Sequence, residues 1–264
     1  ITGDGRVAVP CQPLPTPRRY WQFDAGLAHL NREAESYSSL DLLLFNPGRW
    51  LLRYPARLKP GRLPVLADDF RLSGLLAHGL VEAFFTQEQV LQWDTAACEA
   101  WFDRAFDEQV RNAGATLLMP GRRSDLEAFR LTLRRALHTL HRLLQQSGVQ
   151  RAIPEVRLQG HYPGGALTGY ADLVLEWADG RRAVVDLKWS GAARYAEKLA
   201  QGRSLQLILY AEMVRQQWAG TPDLTYFIFD RGQLLVTGPD RFPAAARITA
   251  TAPHRQLWQR FLRT

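Results

Sequence analysis

Asp186 and Lys188 stand two residues apart in the run Val184-Val185-Asp186-Leu187-Lys188, at the end of an apolar segment. In an extended chain, residues i and i+2 project from one face, so this carboxylate and amine point together while Leu187 points the other way. An acid and a base aimed together from a buried strand are costly unless paired or used. Two readings fit: a structural ion pair at a strand end, or a metal site with a lysine beside it. Asp172 lies on the preceding apolar run, across a turn at Asp179-Gly180, which is a strong hairpin signal. Gln206 and Tyr210 follow, four residues apart and so on one helix face. The stretch from Gly169 to Ser190 therefore reads as a β-hairpin with an acid on each arm.

The elements that must position these groups follow from periodicity. Residues 36–58 read as helical, broken near Asn46-Pro47-Gly48, with Ser38 or Ser39 as cap and Leu40, Leu43 and Leu44 inward. A loop rich in Pro, Gly and Asp covers 60–70. Helices are expected over Arg71–Phe85, Gln87–Ala113 and Asp125–Gln146, the last with Leu126, Phe129, Leu133, Leu137, Leu140 and Leu144 on one stripe. The period then shortens. Strands are expected at Ile153–Gln159, Ala166–Trp177 and Arg182–Trp189, a helix at Arg203–Trp218, strands at Leu224–Phe229 and Gln233–Val236, and a final helix at His254–Leu262. A helical front followed by βββαββα implies an α/β fold with a small mixed sheet flanked by helices. Residues 1–23 read as a proline-rich arm or linker. Residues 24–264 read as a single domain with a helical front part, 24–150, and a core, 151–264. The chain opens with Ile and not Met, so a longer or processed polypeptide is expected.

Bulk properties narrow the partners. The 264 residues carry a net charge of +7, a weak pointer to polyanions such as nucleic acid. Lys59, Lys188 and Lys198 are the only lysines among 33 basic residues, so a lysine inside a strand suggests chemistry that wants an amine. Cys11 and Cys98 make neither a disulfide framework nor a cysteine-based metal site, which favours a reducing cytoplasm. No apolar run is long enough to span a bilayer.

Asp172, then Asp186-Leu187-Lys188, then Gln206-Leu-Ile-Leu-Tyr210 resembles the PD-(D/E)XK nuclease superfamily, and the Q-x-x-x-Y motif is similar to its RecB/AddB-like branch. Ser73-Gly74-Leu-Leu-Ala-His78 fits that branch's histidine helix, and SYSSLDLLLFNPGRWLLRY its opening segment. The resemblance covers about residues 36–215. It implies a restriction-endonuclease-like core and a divalent-metal-dependent nuclease acting on DNA, of exonuclease or single-strand/flap type. One or two Mg²⁺ or Mn²⁺ ions would be held by Asp172, Asp186, the Leu187 carbonyl and His78, with Glu155 as a further acid near the metals. Lys188 would position or deprotonate the attacking water, or stabilise developing charge; only the first of these roles as a base requires a lowered pKa. Gln206 and Tyr210 would contact substrate or steady the site.

Many members of the branch carry an iron–sulphur cluster with a cysteine before the proline of the opening segment. Here Asn46 stands there, and two cysteines cannot build a four-cysteine cluster, so none is expected. The branch often works beside a helicase in repair or anti-phage defence. No G-x-x-x-x-G-K-[ST] segment is present, so a motor would lie on another chain or elsewhere in this one. Arg194, Lys198 and Arg203, between the Asp-Leu-Lys strand and the Gln206 helix, are candidate backbone contacts. Arg123, Arg130, Arg134, His138 and Arg142 on the long helix are either a phosphate-tracking stripe or a solvated face. His161 and Tyr162 are expected to be structural. The alternative to the nuclease is a nucleic-acid-binding module that keeps the fold without turnover.

Overall fold

In the computed structural model, residues 32–58, 70–218, 220–238 and 241–263 are described; the expected arm at 1–23, the boundary at residue 24 and most of the 60–70 loop lie outside them. The helical front holds α1 (Tyr37–Phe45), α2 (Pro47–Arg53), α3 (Phe70–Phe85), α4 (Thr95–Ala113) and α5 (Arg123–Gln146). The core holds β1 (Arg151–Tyr162), β2 (Gly165–Glu176), β3 (Arg182–Lys188), α6 (Ala192–Ala200), α7 (Leu205–Trp218), β4 (Asp223–Ile228), β5 (Gln233–Thr237), β6 (Ala246–Arg247) and α8 (His254–Phe261). The sheet order is β1-β2-β3-β4-β5-β6. Only β3–β4 and β5–β6 run parallel. Each parallel pair needs a long connection, and β3–β4 uses α6 and α7.

Two apolar layers follow from strand alternation. Val185 and Leu187 of β3 face one layer, with Phe227 and Phe229, under α3, α4 and α5. Val184 faces the other, with Tyr226 and Ile228, under α1, α7 and α8. Strands β3 and β4 are thus covered on both sides, which is why they read as apolar runs.

Several boundaries differ from the sequence reading. Ser36, not Ser38 or Ser39, caps α1: its hydroxyl accepts the Ser39 N–H, and the Ser39 side chain accepts the Ser36 N–H. The expected helix over 87–113 is interrupted. Gln89 adopts a left-handed backbone, a 3₁₀ turn covers Val90–Gln92, and Asp94 caps α4. A cap residue prefers extended backbone, so Asp94 begins a helix and cannot continue one. Helix α6 was not expected; Gly191, at φ 101°, makes the turn out of β3 that starts it. Helix α7 begins after Arg203, leaving that residue in the connection. No helix among the described residues is long and apolar enough to cross a membrane.

Candidate active site

The β2–β3 ladder pairs Glu176 with Arg182 through to Leu173 with Val185 and stops there. At the next level Asp172 and Asp186 face each other without ladder bonds. Instead, Asp172 Oδ2 accepts the Leu187 N–H at 2.7 Å. A side chain has replaced a backbone rung, and the two strands part at the acids.

On the other edge of β2 the same level is irregular. Pro154 pairs with Leu173 and Val156 with Ala171, but Glu155, opposite Asp172, is skipped and sits at φ 48°. A left-handed backbone at a non-glycine residue costs about 1–2 kcal/mol and persists where its surroundings impose it. The pleat changes phase here on both strands. Ala152 packs on the α3–α5 layer, whereas Val156 and Leu158, of the same parity, pack on the α7 layer. Likewise Leu173 and Leu175 face the first layer, and Leu167 and Ala171 the second. The phase change releases Glu155 and Asp172 from the alternating in–out order.

Helix α3 closes the site. His78 Nε2 lies 3.0 Å from the Leu187 carbonyl. A carbonyl only accepts, so this bond puts the ring proton on Nε2 and leaves the Nδ1 lone pair 3.6 Å from Asp172 Oδ1. Ligand atoms of His78, Glu155 and Asp172 all lie within 4.8 Å of one another. An octahedral ion with bonds near 2.1 Å spaces its ligands at about 3–4 Å, so a small contraction would close this group on a divalent cation.

Asp186 is fully buried, and Lys188 Nζ stands 2.5 Å from its Oδ2 as an ion pair. Neither carboxylate oxygen has a well-directed hydrogen bond among the described residues. Burial raises the Asp172 carboxyl to about 6, against the pull of the Leu187 N–H and Lys188. Burial also raises Asp186, with Lys188 opposing and Asp172 reinforcing. Burial pushes His78 down, and Lys188 adds to that, so the ring is neutral and ligand-ready. When ionised, Asp172, Asp186 and Glu155 against one Lys188 leave two negative charges, the deficit a divalent cation fills. The donors are hard oxygens plus one imidazole, which suits Mg²⁺ and Mn²⁺.

Burial works to lower the Lys188 pKa, but Asp186, with Asp172 adding, holds it above the usual lysine range, which favours the charged ammonium.

Gln206 Nε2 donates to the Tyr210 hydroxyl at 3.3 Å. The Tyr210 ring packs over Gly169 of β2, where an added Cβ would come within 2.9 Å of it. Burial raises the Tyr210 hydroxyl to about 12, so it stays a phenol. The pair steadies β2 behind the acids.

Arg194 and Lys198 lie on α6, around the Tyr195 ring. Arg194, Lys198 and Lys188 place their charges 4.8, 5.5 and 5.9 Å from its centroid. Arg194 also donates to the Tyr195 hydroxyl at 2.9 Å. Tyr195 was not foreseen; its signal was an aromatic interleaved with basic residues at Arg194-Tyr195 and Lys198. The long-helix arginines behave differently. Arg130 pairs with Asp103, Asp107 and Glu127, and Arg134 with Asp103. Their guanidiniums also cover Phe106 and Phe102. These two arginines fasten α5 to α4, a use that neither the phosphate-stripe nor the solvated-face reading foresaw. His161 is held through its backbone by Gln216, and Tyr162 lies against Gly164, both structural uses.

A model of the PD-(D/E)XK nuclease superfamily matches residues 34–264. No curated protein sequence matches the chain. Among solved structures, a crystal structure of a protein from Eubacterium rectale, provisionally titled an exonuclease, is similar at 14% identity with a TM-score of 0.45, over 92% of this chain and 86% of that one.

Proposed function

The chain belongs to the PD-(D/E)XK nuclease superfamily, and from that premise we propose a divalent-metal-dependent hydrolase of DNA phosphodiester bonds in the RecB/AddB-like branch. The reading extends to exonuclease or single-strand/flap activity, a helicase on another chain or elsewhere in this one, a cytoplasmic setting, and a role in repair or anti-phage defence. One observation carries the chemistry: ligand atoms of His78, Glu155 and Asp172 converge from a helix and two strands to within 4.8 Å of one another, with the buried Asp186–Lys188 ion pair as their electrostatic neighbour.

His78, Glu155 and Asp172 would hold the cation, with Asp186 as a further carboxylate beside them; the Leu187 carbonyl, also expected as a ligand, here accepts from His78. When bound, it supplies charge neutralisation at the phosphate and a water acidified toward neutral pH. The chain's own residues do the rest. Asp172 and Asp186 fix the position of the reacting centre against rigid strands. Lys188, kept protonated, donates to a phosphate oxygen or to the attacking water, and stabilises negative charge as it develops. Gln206 and Tyr210 brace β2 behind the acids.

The test is incubation with end-labelled linear and circular DNA, single- and double-stranded, and matched RNA, under Mg²⁺, Mn²⁺ or EDTA. Asp186→Ala and Lys188→Ala run alongside, with circular dichroism to check folding. Metal-dependent cutting of DNA, lost in both variants, supports the reading. Binding without cutting under every metal would make the chain a silent nucleic-acid-binding module. Cutting that survives Asp186→Ala sinks the assigned site.

A further inference from the structure

Beside Lys188 lies a pocket of 220 Å³. Lys188, Lys198, Arg203, Ser204, Gln206 and Tyr226 line it. No carboxylate does so among the described residues. Small-molecule sites begin near about 300 Å³, so this pocket admits a chemical group and not a whole nucleotide.

Its lining is built for an anion. Lys188 is already paired with Asp186. Lys198 and Arg203 pair with no acid among the described residues, leaving two positive charges for a ligand. Ser204 is only 4% exposed. Its hydroxyl lies beside that of Tyr226 but has no well-aligned hydrogen bond among the described residues. An arriving acceptor would give this buried hydroxyl a better-aligned partner. Ser204 also precedes α7. The Ile208 N–H bonds the Ser204 carbonyl, so the N–H groups of Leu205, Gln206 and Leu207 are left at the open end of a 14-residue helix. An open helix start, two cations without an acid partner among the described residues and a buried hydroxyl meet in one small volume.

The charge selects the anion. A backbone phosphodiester carries one negative charge and must enter and leave by two ends. A terminal phosphomonoester carries about −1.5 to −2 at pH 7 and enters by one. We propose that this pocket receives the terminal phosphomonoester of a polynucleotide strand and so gives the protein a strand-end specificity. The inference rests on the nucleic-acid substrate of the proposed function, and not on turnover.

The test is fluorescence anisotropy with the full chain in EDTA. Short single strands carry a 5′-phosphate, a 3′-phosphate or hydroxyls at both ends, beside a hydroxyl-ended strand one nucleotide longer as a charge control. One phosphate-ended strand is expected to bind about tenfold tighter than both hydroxyl-ended strands, the scale of a charge-assisted contact. The arm that gains assigns the 5′ or the 3′ end. Arg203→Gln and Ser204→Ala are expected to bring the ratio close to one, while Arg142→Gln, on exposed α5 surface, leaves it as in the unmodified chain. Equal binding of all strands overturns the proposal, as does a preference that survives both pocket variants. A phosphate preference without cutting under any metal keeps the pocket and removes the nuclease reading. Metal-dependent cutting with no end preference does the reverse.

Discussion

The molecule carries two arginine-rich regions, and their neighbours give them opposite uses. On α5, Arg130 and Arg134 meet Asp103 and Asp107 of α4 and lie over Phe106 and Phe102. Their charge is spent on holding two helices together. Around α6 and the start of α7, Arg194, Lys198 and Arg203 cluster beside Tyr195 and Lys188 with no acid opposite them among the described residues. The same contrast runs through the acids. Glu176, partly exposed, is met by two arginines, Arg151 and Arg182, whereas Asp186, fully buried, has the single ion pair with Lys188.

The largest effect should come from the buried Asp186–Lys188 pair. Asp186→Asn or Lys188→Met is expected to lower the hydrolytic rate by on the order of 10³-fold, read from initial rates on end-labelled DNA. An equal loss from Arg134→Gln would erase the contrast between the two regions.

Next comes the strained edge. Glu155→Gln is expected to lose activity by roughly 10–100-fold, and His78→Gln by a similar factor. Glu155→Gly relieves the φ of 48° and should raise stability by about 1 kcal/mol in a urea melt while activity falls. A glycine variant that is both active and more stable would show the strain to be unrelated to the site.

Acidity gives a third handle. Asp172, raised to about 6 by burial, and Asp186, raised likewise, are protonated below that range. Metal binding must displace those protons, so Mn²⁺ affinity by calorimetry should fall by about tenfold per pH unit for each proton displaced as pH drops below 6, with proton release on binding. Without metal the sign reverses. A raised carboxyl favours the folded state below its ordinary value of 3.8 and loses that contribution as pH rises through about 6. Added metal should therefore raise the melting temperature more at pH 7 than at pH 5.

The smallest effect separates the basic regions directly. Arg203→Gln and Lys198→Gln should each flatten the slope of log affinity against log salt by about 0.7 on single strands. Arg130→Gln and Arg134→Gln should leave that slope unchanged and cost about 0.5–1 kcal/mol in unfolding, as partly exposed ion pairs do.

The sequence alone determined the order of elements and the identity of the central acids. Alternation in Val184–Lys188 put Asp186 and Lys188 on one face, the Asp179-Gly180 turn set Asp172 nearby, and the four-residue spacing joined Gln206 to Tyr210. These are local consequences of backbone period, which is why they were legible. Tertiary structure decided what periodicity cannot carry. It brought His78 across from α3 to the Leu187 carbonyl. It changed the pleat phase at Glu155 and turned an acid at a strand start into a neighbour of Asp172. It gave α5 its acidic partners and left the α6 cations without any among the described residues. Whether a charge is satisfied depends on atoms distant in the chain, and only packing supplies those.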